Sequence, residues 1–158
     1  MARESVRNLL PDVTEPLVVT TKLEFPYSRT LGPLLGAFAA GLRDGRLLAS
    51  RTVDGRVQLP PLEYDPLTGM SVEADLVDVG PGGSVMSWTW VPNPTERQPY
   101  DRAFAFALIK VDGADTSLVH VLTAESPDEI STGMRVRPRW RAERLGRITD
   151  IEGWEADA

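Results

Sequence analysis

Cysteine is absent from the 158 residues, and histidine occurs only once, as His120. Without cysteine, the chain forms no disulfide, offers no thiolate nucleophile and binds no metal through a cysteine thiolate. A single histidine also excludes a multi-histidine metal site and a histidine relay within one chain. We interpret His120 as a structural residue of a strand, because an isolated histidine lacks the partners that make a general base.

Motifs of common enzyme classes and of membrane proteins are also missing. There is no G-x-S-x-G nucleophile elbow, no phosphate-binding G-x-x-x-x-G-K-[ST] loop and no dinucleotide fingerprint after a strand. No apolar run approaches the roughly 20 residues of a membrane span, and the start MARESVRNLL has no hydrophobic core of a secretory signal. The sequence therefore predicts a cytoplasmic protein that does not contact a membrane.

Basic residues are outnumbered by acidic ones. The chain has 17 Lys and Arg against 23 Asp and Glu, with a net charge of -6 and a pI near 4.8. Binding to nucleic acid needs an excess of basic groups that displace counterions from the phosphates. The composition therefore argues against a general affinity for nucleic acid, while the hydrophobic fraction of 42% is ordinary for a folded domain.

Three prolines, Pro11, Pro16 and Pro26, interrupt residues 1–30. They predict an extended arm rather than a continuous helix. The arm contains the apolar, β-prone segment LVVTTKLEFPY, which we expect to lie either on the body of the protein or on another chain. Its predicted partner-binding residues are Leu17, Phe25 and Tyr27.

A helix is predicted after the arm. Thr30 is its expected cap, Pro33 lies in its first turn, and Asp44-Gly45 ends it. An apolar stripe at helical spacing is formed by Leu31, Leu34, Leu35, Phe38 and Leu42. This stripe packs either in the core of the chain or on a partner, and Leu34, Leu35 and Phe38 are among the predicted partner contacts.

The stretch from Leu47 to Gly69 has the layout of a zinc ribbon without its metal ligands. A ribbon has two C-x-x-C turns separated by an arm of roughly ten or more residues. The equivalent turns here are R-T-V-D and D-P-L-T, so the former ligand positions are Arg51, Asp54, Asp65 and Thr68. None replaces a thiolate, so we predict no metal and expect Asp54 and Asp65 to face Arg51. The alternative is an irregular Pro/Gly loop with surface charges.

Beyond this stretch, apolar residues alternate with a period of two, which is typical of strands. Strands are predicted at residues 76–79, 84–91, 103–111, 116–123 and 134–141. Short strands of this number, with a long loop at residues 92–102, predict a small closed barrel of the OB type. The predicted fold is mainly β, with an OB-fold barrel at residues 73–158. Residues 1–72 would hold the arm, the N-terminal helix and the metal-free remnant of a zinc ribbon.

Two groups of side chains on the predicted strands are candidates for binding. Arg135, Arg137 and Arg139 alternate along one strand, an arrangement that suits the phosphates of coenzyme A, single-stranded nucleic acid or the acidic side chains of a partner. The alternative is a solvated face with cross-strand ion pairs. The second group is aromatic or apolar, and we expect it mostly to fill the barrel: Met86, Trp88, Trp90, Phe104 and Phe106.

The order of several short motifs resembles the DUF35 family. These motifs are G-L-x-x-G-R-L-L-A-S-R, G-R-V-x-x-P-P and P-L-T-G, followed by S-W-T-W-V and T-G-M-R-V. The resemblance implies a rubredoxin-like zinc ribbon joined to an OB-fold, in proteins that accompany thiolase-like acyl-CoA enzymes. The chain looks most like the actinobacterial type that partners lipid-transfer-protein aldolases of steroid side-chain degradation.

The resemblance implies a non-catalytic accessory subunit that binds and stabilises a thiolase-like acyl-CoA enzyme in a hetero-oligomer. Retro-aldol cleavage of a steroid side-chain CoA thioester would then belong to the partner. No cofactor is expected on this chain alone, whereas a CoA thioester is expected in the complex, with its phosphates near Arg135, Arg137 and Arg139. The competing hypothesis is an OB-fold protein that binds single-stranded nucleic acid through the arginines with Trp88 or Trp90.

Overall fold

The computed structural model describes residues 18–28, 30–73 and 75–157. The regular elements of this part are the α-helix α1 (Gly32–Arg43) and the strands β1 (Leu47–Arg51), β2 (Val57–Gln58), β3 (Leu76–Val79), β4 (Gly83–Val91), β5 (Phe104–Val111), β6 (Ser117–Leu122), β7 (Arg135–Trp140) and β8 (Ile151–Ala156). The predicted mainly β class is confirmed. Within the described ranges, no helix is long and apolar enough to cross a membrane.

Helix α1 buries the apolar stripe that its sequence predicts. Its N-cap is Leu31 rather than Thr30, and no side chain caps the helix there. Leu34, Phe38 and Leu42 are 2%, 7% and 2% exposed, because residues at this spacing share the helix face that packs on the rest of the chain. The predicted partner contacts at Leu34 and Phe38 are therefore wrong, since both side chains are already buried in the core of the chain itself.

Strand β1 is the centre of a three-stranded antiparallel sheet with the order β2-β1-β3. Ser50 of β1 pairs with Gln58 of β2, and Leu47 pairs with Val79 of β3. The sheet therefore joins β1 and β2, the strands on either side of the first turn of the ribbon remnant, to β3. The predicted domain division places the residues of β3 in the barrel half. The division at residues 72 and 73 stays a prediction.

The other five strands form a closed barrel with the order β4-β5-β6-β8-β7, in which β7 pairs with β4. Closure brings the β4 backbone close to β5 at Gly83. A Cβ atom at this residue would lie 2.8 Å from the Lys110 carbonyl oxygen, so only glycine fits. The predicted OB-type barrel is confirmed.

Two alanines and an isoleucine of β5 point into the barrel. Ala105, Ala107 and Ile109 are 0%, 1% and 0% exposed, and the large interior side chain is Trp154 of β8, at 0%. The expected alternation of β4 is broken by a register shift between Val85 and Ser87. Such a bulge inserts an unpaired residue, here Met86, whose side chain is 48% exposed. Trp88 and Trp90 pack against the core as expected, and Phe104 is buried.

The helix, the three-stranded sheet and the barrel share one hydrophobic core. Phe38 and Leu42 of α1 belong to the same buried cluster as Val85 and Trp154 of the barrel. The turn at Gly146 also lies against α1, since a Cβ atom at Gly146 would be 2.8 Å from the Ala39 carbonyl oxygen. Helix α1 is therefore an integral part of the fold rather than an appendage.

Candidate functional site

The ribbon remnant is held together by Arg56. Its guanidinium Nε lies 2.7 Å from Asp54 Oδ2, and its Nη2 lies 2.9 Å and 3.0 Å from the two carboxylate oxygens of Asp65. The expected charge cluster exists, but its arginine is not Arg51. The side chain of Arg51 instead donates from Nη1 to the Gly55 carbonyl oxygen at 3.3 Å, and its Nε is 3.7 Å from Asp75 Oδ2. The expectation that Arg51 faces both carboxylates is therefore wrong.

Both carboxylates of this cluster are held in their charged form. Hydrogen bonds from Thr52 and then Arg56 lower the pKa of Asp54 to about 2. The pKa of Asp65 is lowered by the Leu67 backbone N–H, which donates to Oδ1 at 2.9 Å, and further by Arg56, although burial acts in the opposite direction. The result is a triad of one guanidinium and two carboxylates that is charged at neutral pH.

The four former ligand positions do not form a zinc site. Asp54 and Asp65 bind Arg56, and Thr68 Oγ1 accepts a hydrogen bond of 3.3 Å from the Met70 backbone N–H. A structural zinc site needs four sulfur or nitrogen donors around one point, and a guanidinium there repels the cation. Among the residues that the structure describes, no group of three or more His, Cys, Asp or Glu side chains is arranged to hold a metal. The residues therefore do not fit the metal that the family resemblance implies.

The arginines of β7 pair with carboxylates on neighbouring strands and turns. Arg135 Nη1 lies 2.8 Å from Asp112 Oδ1, and Arg139 Nε lies 2.9 Å from Glu152 Oε2. Arg137 Nη2 lies 3.1 Å from Glu155 Oε1. Hydrogen bonds to these carboxylates raise the pKa of Arg135 and of Arg139.

These ion pairs match the alternative of a solvated strand face with cross-strand pairing. A phosphate group would have to compete with Asp112, Glu152 and Glu155 for the guanidinium groups. The same competition applies to an oligonucleotide, so the arginines lend no support to nucleic-acid binding. Contact between CoA and Arg135, Arg137 or Arg139 stays a prediction.

The extended arm presents large apolar side chains to solvent. Leu23, Phe25 and Tyr27 are 77%, 75% and 81% exposed, and in the sequence they alternate with polar residues and Pro26. Leu17, another predicted partner contact, lies outside the described residues. Leu35 of α1 is partly exposed, unlike Leu34 and Phe38 of the same helix. Of the predicted contacts that the structure describes, Phe25, Tyr27 and Leu35 are thus accessible, and their role stays a prediction.

His120 is packed on the barrel and has no acidic partner among the described residues. Its Nε2 lies 3.4 Å from the Ile148 carbonyl oxygen, and its Nδ1 is buried with no hydrogen-bond partner. Burial lowers the pKa of His120, although the contact with Ile148 acts in the opposite direction. Among the described residues, no carboxylate is hydrogen-bonded to the imidazole ring, as would be needed to tune His120 as a general base.

A buried carboxylate that none of the predicted motifs includes organises the loop between β7 and β8. Asp150 is 3% exposed and accepts hydrogen bonds from the backbone N–H groups of Leu145, Gly146 and Arg147 at 3.1, 2.7 and 3.0 Å. Burial opposes its ionisation, but these donors hold its pKa below the ordinary value. Arg144 Nε then donates to the Arg43 carbonyl oxygen at 2.8 Å and ties the loop to the end of α1. In the sequence, a glycine followed four residues later by an aspartate, Gly146 and Asp150, is the pattern that could have indicated this turn.

Comparisons with known proteins agree with this architecture. Residues 76–141 match the model of the family described as ChsH2, C-terminal OB-fold domain. A protein of unknown function from the DUF35 family of Sulfolobus solfataricus is similar in structure, with 18% identity, a TM-score of 0.61, and 80% of this chain and 87% of that chain covered.

A second solved structure, an Ltp2-ChsH2(DUF35) aldolase, is similar with 22% identity and a TM-score of 0.57, and the match covers 77% of this chain and 92% of that chain. No curated protein sequence matches the chain. These comparisons support the predicted resemblance to the DUF35 family, and residues 76–141 match an OB-fold domain of the ChsH2 C-terminal type.

Proposed function

We propose that this chain is a non-catalytic accessory subunit that binds and stabilises a thiolase-like acyl-CoA enzyme. The observation that carries this proposal is the match of residues 76–141 to the OB-fold domain of ChsH2. A structure similar to this chain is that of an aldolase that contains Ltp2 and ChsH2. The proposal transfers the role of the ChsH2 subunit to this chain.

The chemistry would reside in the partner, and we propose retro-aldol cleavage of a steroid side-chain CoA thioester as its reaction. Such a cleavage breaks a carbon–carbon bond and needs a group that removes a proton from the substrate hydroxyl. His120, the one histidine of the sequence, has no partner among the described residues that would tune it for this task. A histidine without such a partner is consistent with catalysis by the other subunit, where the CoA thioester would bind.

The exposed arm supports a role in assembly. Phe25 and Tyr27 are 75% and 81% exposed, and large side chains that contact little of their own chain are typical anchors of a protein interface. Leu17 and Leu35 would extend this contact. An arm of this kind would bury its apolar side chains only when the partner is present.

The test is co-purification with the thiolase-like product of a neighbouring reading frame. The Phe25→Asp variant should lower recovery of the complex by about tenfold, since a buried aromatic anchor is typically worth that much or more. Thr20→Asp is the matched control, because it adds the same charge to a polar position of the arm. A wild-type chain that does not co-purify with such an enzyme, at matched concentrations, would exclude the proposed function.

A truncation of the arm has to spare α1. Removal of residues 1–45 would also remove Leu34, Phe38 and Leu42, and would leave part of the shared core exposed. Such a truncation would therefore destabilise the barrel as well as remove the arm. Removal of residues 1–28 is the informative deletion, because the described residues 18–28 are exposed throughout. It should abolish co-purification without lowering the Tm of the isolated chain.

A further inference from the structure

The outer surface of the β5–β6 hairpin is apolar. Since Ala105, Ala107 and Ile109 point into the barrel, the residues between them point outwards, and they pair as Phe106 with Val121 and Leu108 with Val119. The solvent-facing side of an antiparallel sheet is normally polar. We name this surface, together with the neighbouring turn, the β5–β6 surface. It comprises Phe106, Leu108, Val119, Val121 and Ile148.

Part of the β5–β6 surface is open to solvent and part forms the floor of a depression. Val119, Ile148 and Leu108 are 63%, 40% and 36% exposed, whereas Val121 is 5% exposed. The depression has a volume of about 220 Å³, and its lining includes the apolar Phe106, Val119, Val121 and Ile148 and the polar His120, Arg141 and Glu152. Pockets for drug-sized molecules are usually larger, at roughly 300–1,000 Å³. The volume therefore suits one inserted side chain better than a free small molecule.

Arg141 supplies unsatisfied positive charge beside this depression. Its Nε donates to the Thr149 carbonyl oxygen at 2.8 Å. Within the described ranges, no carboxylate lies at ion-pair distance from it, in contrast to Arg135, Arg137 and Arg139 of the adjoining strand. A guanidinium with free N–H groups next to an apolar depression is complementary to an apolar side chain that is followed or preceded by a carboxylate.

A second copy of this chain is a poor occupant of the same surface. In a symmetric dimer each surface would have to provide a carboxylate for the Arg141 of the other. The carboxylate that lines the depression, Glu152, already accepts from Arg139 at 2.9 Å. A different protein, with its own unpaired carboxylate, satisfies the charge without breaking an existing ion pair.

We propose that the β5–β6 surface is a docking site for the partner subunit, which inserts one apolar side chain between Phe106 and Ile148 and pairs an adjacent carboxylate with Arg141. This inference rests on the proposed function and names a second contact, on the barrel, in addition to the arm. Burial of Val119 and Leu108 against the partner removes an apolar surface that the isolated barrel leaves in water.

The experiment measures the dissociation constant of the complex with the co-purifying thiolase-like enzyme for the wild type, three variants of the β5–β6 surface and its rim, and one control variant. Val119→Glu and Arg141→Glu should each weaken binding by about tenfold or more, because one places a charge in the contact and the other repels the partner's carboxylate. Arg141→Ala should also reduce the salt dependence of binding. Leu67→Glu is the matched control, since Leu67 is an isolated leucine that is 75% exposed in another turn, and its complex should keep the wild-type affinity.

The outcomes separate this inference from the proposed function. A wild-type chain that fails to bind overturns both. Wild-type binding that is unchanged in Val119→Glu and Arg141→Glu, with both variants folded by circular dichroism, overturns only the docking site on the barrel. Self-association of the isolated chain that Val119→Glu abolishes would assign the surface to a second copy and would also overturn the proposal. Loss of stability after removal of residues 1–17, reproduced by Val119→Glu, would assign it to the chain's own N-terminal residues instead.

Discussion

The Arg56 guanidinium donates from one nitrogen, Nη2, to both carboxylate oxygens of Asp65, at 2.9 Å and 3.0 Å. The Asp65 side chain is only 4% exposed, whereas that of Arg56 is 30% exposed. The arginine therefore covers a buried carboxylate and links the two turns of the ribbon remnant, because its Nε also binds Asp54. A charged side chain thus connects the two turns that the family resemblance would join through a metal.

Arg56→Ala should lower the Tm of the isolated chain by several degrees. The substitution leaves the Asp65 carboxylate buried with no cation beside it, and an uncompensated buried charge destabilises a fold more than a lost surface pair does. Arg51→Ala is the control, since the exposed Arg51 side chain makes only a 3.3 Å hydrogen bond to the Gly55 carbonyl oxygen and a 3.7 Å contact to the exposed Asp75, and its loss should leave the Tm nearly unchanged. Thermal unfolding followed by circular dichroism compares the two. Equal Tm values for Arg56→Ala and the wild type would show that Arg56 does not stabilise the remnant.

Metal analysis of the purified protein should find well under one zinc per chain. The four former ligand positions offer an arginine, two aspartates already bound to Arg56, and a threonine, and none is a soft donor. Elemental analysis after dialysis is the measurement. Stoichiometric zinc that survives dialysis would contradict the prediction and would require a different set of ligands.

Phe38→Ala should destabilise the chain by about 3–5 kcal/mol, as is typical when a buried phenylalanine is truncated. Phe38 is 7% exposed and belongs to the core that α1 shares with the barrel. Phe25→Ala, at a residue that is 75% exposed, should change the free energy of unfolding by no more than about 0.5 kcal/mol. Urea unfolding of the isolated chain measures both. A small effect of Phe38→Ala would mean that α1 does not contribute to the folded core.

The stability of the wild-type chain should fall as the pH falls from 7.0 to about 5.0, in part because of His120. Burial places the pKa of His120 in the folded chain below the value of 6.5 for an unperturbed histidine. Between the two pKa values the unfolded chain binds more protons than the folded chain, so protonation favours unfolding and stability is lost as the pH decreases.

The His120→Gln variant isolates this contribution, since glutamine does not titrate. Its free energy of unfolding should depend less on pH over the same interval than that of the wild type. The aspartates with lowered pKa values, such as Asp54 at about 2, lose their stabilising effect only at more acidic pH and do not obscure the comparison. Parallel pH profiles for wild type and variant would show that His120 is not shielded from solvent.

Several features of the fold follow from local sequence patterns. The spacing of Leu34, Phe38 and Leu42 predicts a helix and its buried face, and alternating residues predict β4, β5, β6 and β7 in nearly the observed positions. Such patterns are reliable because the face on which a side chain lies depends only on the repeat of its own helix or strand. The helical repeat does not show what the buried face of α1 contacts. It is therefore equally compatible with a partner contact for Leu34 and Phe38, although both side chains are buried in the chain itself.

The bulge at Met86 and the pairings of charged residues were decided by the tertiary structure. A bulge depends on how two strands of a closing barrel align, and the alternation of β4 alone does not show that Met86 is displaced. The arginines of β7 find Glu152 and Glu155 because β8 lies beside β7 in the barrel.

The sequence by itself determined that this chain has no cysteine ligands and no histidine pair, that it carries a ribbon-like turn pattern, and that its second half is a small barrel. Only the tertiary structure decided that Arg56, and not Arg51, lies between Asp54 and Asp65. The reason is that residues 51 and 56 flank the same tight turn, in which Gly55 has a φ of +86° and Thr52 N–H bonds the Arg56 carbonyl oxygen. Reversal of the chain there directs the two arginine side chains to different carboxylates, and neither spacing nor composition records that direction.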